Sequence, residues 1–351
     1  MMDKLNMIGT RPSWGLLLLL GLVIGWHEED AYYNIEALRD FDVDEEEPHK
    51  HRPFKPKFHM TMALENTTLS NLIPMDKTYR ARLHIRKQII KRDRYQVLAC
   101  NTKAVPAVLE LYEWLMSTYL PRRFPSVYTL SGAGLRNHVN GTILPLWLSD
   151  AEEALQMLGE NIDDEFLFLL RSDKPEDEGK YVMEAFINCF PSGFNTRAKL
   201  GLLLADIHGP VPGYKVKLER SMDRFFASLA VGKMVKRSNW SISTSGELFC
   251  LEGSHGTAEE MERQGERREE DIDLSKTVLR CERQTLHRLP RTGALTYQYP
   301  IQELRDEGSG EVLAEAIDGL GLGSVPGIAV YKKQVVWGDK VKAFLRGEID
   351  A

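Results

Sequence analysis

The chain has 351 residues, 43% of them hydrophobic, which is enough for one large domain or two small ones. A formal net charge of -6 leaves no global basic field, and nucleic-acid binding is set aside. Cys100, Cys189, Cys250 and Cys281 lie far apart with no C-x-x-C spacing, which excludes a zinc ribbon and reads as buried free thiols.

The N-terminus differs from the rest. Trp14–Trp26 is an uninterrupted apolar run, with Lys4 and Arg11 before it and Glu28, Glu29 and Asp30 after it. It is short against the roughly 20 apolar residues of a membrane span, but no small-x-small cleavage site follows. Residues 1–26 are therefore read as an uncleaved hydrophobic anchor, with a signal segment as the alternative. Residues 27–52 form an acidic and then basic linker, whose His49 and His51 have nothing nearby to orient them for a metal. The flanking charge alone favours a lumenal domain, in which Asn66 and Asn140 are glycosylation acceptors. Asn239 has the same sequon but sits in a strand-like apolar segment.

The folded domain is expected over residues 53–346. A Lys- and Arg-rich helix is expected over 76–99. In the next helix Val105, Val108, Leu109, Tyr112, Leu115, Met116 and Tyr119 recur at helical spacing, and it is expected to stop before Pro121. Asp150 caps a third helix reaching Leu158. Glu165–Leu170 and Tyr181–Cys189 then read as a hairpin around a charged turn. The segments 239–243, 277–286 and 293–299 read as further strands, and the Glu/Arg-rich stretch 254–272 as an exposed insertion. Helices close the chain near 311–320 and 337–346. The order of elements suits an α+β domain with an antiparallel sheet flanked by helices.

No dinucleotide fingerprint, Walker loop, nucleophile elbow or H-E-x-x-H occurs, so reducing equivalents would come from another polypeptide. The most constrained residue is His208, in Ile207-His-Gly-Pro-Val-Pro-Gly-Tyr214. Two prolines and two glycines fix its bend, which suits a metal ligand that must not move. A lone imidazole suffices as a ligand when a porphyrin supplies the other bonds. Asp206 is a candidate partner for that imidazole. Met222, Phe225 and Phe226 make an apolar helix face suited to a flat cofactor. Alternation places Arg283 and Thr285 on one strand face and Gln284 on the other. Arg283 then requires an anion, either a ligand carboxylate or a glutamate such as Glu282 or Glu247, and His287 reads equally well as a surface residue.

Five ordered blocks carry a resemblance: Phe190–Gly201, Ile207–Tyr214, Arg220–Phe226, Asn239–Ile242 and Glu282–Ala294, with Pro53-Phe54, Met60–Leu64 and Arg122–Pro125 upstream. Together they resemble the haem-dependent oxidative N-demethylase family. The resemblance implies a PAS-like sheet holding haem b, with His208 as the iron ligand. It implies Arg283 and Arg288 as cofactor-binding residues, beside Met222 and Phe226 expected from their apolar face, and Arg283 and Gln284 as catalytic residues of the oxygen pocket. It also implies oxygen-dependent removal of a methyl group from an amine, driven by NADPH through a separate flavin and iron–sulfur reductase. The apolar N-terminus and the 254–272 insertion depart from the bacterial pattern, which suggests a fungal, membrane-tethered relative acting on an amine or a larger secondary-metabolite substrate. The electron supply favours a cytosolic domain on a single-pass endoplasmic-reticulum anchor, with the secretory lumen as the alternative. A non-catalytic haem or small-ligand sensor, or a scaffold, is the rival function.

Overall fold

The computed structural model describes residues 32–50, 54–253, 255–256, 272–288 and 292–351, the last stretch with side chains from 303 onward. The apolar run 14–26 and most of the 254–272 insertion lie outside the described residues. No described helix is long and apolar enough to cross a membrane.

The first helix, α1, spans Tyr79–Val97 and buries Leu83, Arg86, Ile89, Ile90 and Val97. Those positions share one face at helical spacing, and Arg82 beside them turns inward to pair with Asp163 at 2.5 Å. Asp93 leaves helical space (φ -124°, ψ 30°) and kinks the last turn. Helix α2, Val105–Trp114, does not end before Pro121 as expected. A π turn over Leu115–Tyr119 hands it to a further helical turn, Leu120–Arg123. Pro121 stands in the first turn of that piece, where its missing N–H removes no bond. Helix α3 covers Ala151–Asn161, and the Asp150 carboxylate accepts from the Glu153 amide at 2.7 Å as a capping residue should.

The described residues form ten strands, in chain order: β1 Glu65–Thr67, β2 Leu98–Cys100, β3 Tyr128–Ser131, β4 Gly134–Asn137, β5 Ile143–Leu144, β6 Glu165–Arg171, β7 Tyr181–Ile187, β8 Met234–Ser243, β9 Val278–His287 and β10 Thr292–Pro300. Seven of them form one antiparallel sheet in the order β1-β8-β9-β10-β6-β7-β2, and β3, β4 and β5 form a small second sheet. The expected hairpin is β6–β7, and the α+β class is as read from the sequence. A bulge lies in it: Phe168 faces Ala185 and Leu169 faces Met183, so Glu184 is the extra residue. The shift lets Met183 and Phe186, three residues apart, join one apolar cluster, while Ala185 and Ile187 join another.

Helices α1, α2 and α3 cover one face of the sheet, packing on Phe166, Phe168, Ala185, Ile187 and Met234. The remaining helices are α4 Leu204–Ile207, α5 Tyr214–Lys217, α6 Glu219–Ser228, α7 Ile301–Asp306, α8 Gly310–Asp318, α9 Ile328–Tyr331 and α10 Gln334–Leu345. Helices α8 and α10 pack on Trp240, Ile242, Leu279 and Cys281 at one end of β8 and β9. Leu204, Tyr214, Met222 and Phe226 cover Leu169, Met183, Val235 and Leu286. A cavity opens between these last two groups of helices and the sheet.

The four cysteines are free thiols, with Cys189 and Cys281 buried as expected.

Candidate cofactor cavity

The cavity measures about 690 Å³ and is open on one side. That volume lies within the range of small-molecule and cofactor sites. Its walls come from the extended segment 57–64, from β6 through β9, from α4 through α6, and from α9.

His208 lines it. The single turn α4 ends at His208, whose backbone (φ -95°, ψ 0°) leaves the helix. The Val211 amide donates to the His208 carbonyl at 2.9 Å, and the Tyr214 amide to the Val211 carbonyl at 3.1 Å. The Gly209 amide donates to the Asp206 carbonyl at 3.1 Å, and Pro210 and Pro212 bring no amide that needs an acceptor. Gly213 turns the chain into α5 with φ +76°. The imidazole stacks on Tyr214, centroids 4.8 Å apart and planes 14° from parallel. Its Nδ1 lies 2.8 Å from the Leu204 carbonyl oxygen. A carbonyl only accepts, so Nδ1 carries the proton and Nε2 keeps its lone pair. Burial, with Lys199 and Arg237 nearby, lowers the imidazole pKa and keeps it neutral, although the bond to Leu204 works the other way. Asp206 is not its partner; the Leu204 carbonyl takes that role one turn back.

Gln284 lines the cavity, as do Met222, Phe225 and Phe226. Arg283 does not. It points to the opposite face of β9, where its guanidinium donates to the carbonyls of Asn71 and Leu72. Arg288 also lies outside the cavity wall. It donates to the carbonyls of Phe226, Ala227 and Leu229, closing the C-terminal end of α6. His287 is buried rather than on the surface, with Nδ1 at 3.1 Å from the Tyr32 hydroxyl.

Several wall residues escaped the sequence reading. Arg237 stands opposite Gln284 in the β8–β9 register, and Asn239 opposite Glu282. The Arg237 Nε is buried with no hydrogen-bond partner. Lys199 reaches over the Phe194 ring at 4.0 Å. Lys332 donates to the Trp240 carbonyl and, at 3.3 Å, to Asn239 Oδ1. Burial pushes both lysines down to about 8, with Glu282 pulling the other way. Glu282 accepts from Gln284 Nε2 at 3.3 Å and forms no ion pair among the described residues. His255, expected within an exposed loop, is instead part of the wall: its ring lies 4.6 Å from that of Tyr331, tilted by 34°, and its pKa is lowered by burial to about 4. No group of three or more His, Cys, Asp and Glu among the described residues could hold a metal ion by itself.

A family model described as haem-dependent oxidative N-demethylase, alpha subunit-like, matches residues 63–342. The chain belongs to this family. No curated protein matches it. Membership brings a haem-dependent oxidoreductase to a cavity whose residues suit that cofactor. A neutral imidazole offers Nε2, the volume admits a porphyrin, and the apolar flank of Met222, Phe225 and Phe226 suits its flat face. Lys55 and Lys57, exposed at the mouth and free of ion pairs among the described residues, suit its carboxylates.

Proposed function

We propose that this chain binds haem b in the cavity through His208 Nε2 and oxidises a carbon next to nitrogen in an amine, releasing its methyl group as formaldehyde. The observation that carries the proposal is the neutral, Nδ1-anchored imidazole in the wall of a porphyrin-sized cavity. Bound haem supplies the activation of oxygen, which no side chain here can perform. His208 is held in one tautomer and one orientation by Leu204 and Tyr214. Met222, Phe225 and Phe226 exclude water from the reacting face. Glu282, steadied by Gln284, offers a carboxylate to the substrate ammonium and so orients the amine in the cavity.

We read the large sheet as PAS-like: it is antiparallel and uses one face to wall a ligand cavity. We take the domain to run over 53–346, a reading supported by the matched span of 63–342. Electrons from NADPH arrive through a separate flavin and iron–sulfur reductase, a reading supported by the missing dinucleotide fingerprint. The run 14–26 supports a single-pass endoplasmic-reticulum anchor.

An optical spectrum of the purified protein beside His208→Ala tests the site. The wild type is expected to show a Soret band that shifts when carbon monoxide is added after reduction. His208→Ala should lose or displace that band, and added imidazole should restore it. A wild type that stays colourless after haemin is offered, or a variant with an unchanged spectrum, overturns the assignment.

A further inference from the structure

Resting on that reading, the inner wall of the cavity indicates what kind of amine it takes. Of the two carboxylates that line the cavity, Glu65 pairs with Lys236 at 3.5 Å, which leaves Glu282 to face Lys199, Arg237 and Lys332. Among the described residues Glu282 makes no ion pair with any of the three and accepts from Gln284 Nε2 instead. The Arg237 guanidinium makes no hydrogen bond among the described residues, and its Nε is buried. Lys199 has only the ring of Phe194 beneath it. A desolvated guanidinium with unused donors is costly unless an anion enters. A planar carboxylate answers its fork of N–H groups. The exposed lysines of the mouth, Lys55 and Lys57, are separate from this inner set. A small cationic amine such as dimethylammonium would satisfy Glu282 and leave the three cations uncompensated.

We propose that the substrate is a zwitterion, an N-methylated amine that also bears a carboxylate. Its carboxylate meets Arg237 and Lys199, and its ammonium meets Glu282. Lys332, tied to Trp240 and Asn239, holds the positive field at the inner end. The preference is electrostatic, so it weakens as ionic strength rises.

The test is calorimetric titration of the full chain, with and without haem, using N-methylglycine and dimethylamine as probes. N-methylglycine is expected to bind at least about tenfold more tightly than dimethylamine, as a charge-assisted pair with a buried guanidinium implies. Arg237→Gln and Lys199→Gln are each expected to erase that preference while the Soret band and haem content stay as in the wild type. Two variants keep the test sound if one folds poorly, which thermal unfolding reports. Equal affinity for the two probes overturns the proposal, as does failure of N-methylglycine to bind either form. Loss of haem in both variants with the preference retained also overturns it, because the inner cations would then serve the cofactor's carboxylates. Titration of the haem-free protein separates the two readings: failure to take up haem defeats the function proposed above, whereas loss of carboxylate preference defeats only this one.

Discussion

Replacing Arg86 by Met should cost about 3–5 kcal/mol of stability, the range for removing one partner of a buried ion pair. Arg86 is fully buried in α1, and four hydrogen bonds hold its guanidinium. It donates to Glu165 Oε1 at 2.6 Å and Oε2 at 3.2 Å, to the Gly159 carbonyl at 2.7 Å and to the Asp164 carbonyl at 2.6 Å. Glu165 in turn accepts from the amides of Cys189 and Phe190, at 2.7 and 3.1 Å. One cluster thus ties α1, the end of α3, the start of β6 and the entry to the loop that leads to His208. Met fills much of the same volume, so the loss is electrostatic. Two carbonyls lose their donor, at about 1–3 kcal/mol each, and a carboxylate is left buried with two amides only. The double variant Arg86→Met/Glu165→Met removes both charges and should cost clearly less than the sum of the two single changes. Urea unfolding of the four proteins in a double-mutant cycle measures this. A single-variant cost under about 1 kcal/mol, or strict additivity, would refute the reasoning.

Two further outcomes are expected. Burial raises the Asp164 carboxyl from its ordinary 3.8 to about 8. Between about pH 4 and pH 8 the native state therefore keeps a proton that the unfolded chain has released, and this group's contribution to stability falls as pH rises through that window. Asp164→Asn keeps an acceptor for the Glu165 amide and removes the titration. Its stability relative to the wild type should rise by a few kcal/mol, about 2–5, from pH 4 to pH 8; parallel pH profiles from urea melts would count against it. Gly213 has φ +76°, and a Cβ there would lie 2.9 Å from Val325 Cγ2. Gly213→Ala should cost about 1–3 kcal/mol and disturb the His208 bend; Val325→Ala in the same chain should relieve the clash but not the backbone strain. A melting temperature equal to the wild type would argue against the constraint.

The elements legible in the sequence were those with local causes. Asp150 caps α3 whatever lies around it, because the accepting oxygen and the donating amide are three residues apart. The β6–β7 hairpin follows from two apolar runs about a charged turn. The His208 bend follows from Pro210, Pro212 and Gly213, whose backbone preferences do not depend on distant neighbours. The family blocks were legible for the same reason, being contiguous stretches. The strands β1 and β2 were not, since three residues carry too little periodicity to be seen. Pro121 misled because a proline ends one helix or begins the next, and only the preceding π turn decided between them.

The charge pattern of the cavity was decided by tertiary structure alone. Alternation along β9 fixed that Arg283 and Gln284 point to opposite faces, but not which face would meet a ligand. That depended on the packing layers: the segment of Asn71 and Leu72 took Arg283, and the helices around His208 left Gln284 and Glu282 facing open space. Lys199, Arg237, His255, Glu282 and Lys332 come from separate stretches of the chain, and no spacing rule links them. Their meeting depends on the order β1-β8-β9-β10-β6-β7-β2 and on the return of α9. The sequence determined the His208 imidazole and the turn that fixes it, because backbone stereochemistry acts over a few residues. Folding determined which charges surround that imidazole, because electrostatic forces act through space between residues far apart in the chain.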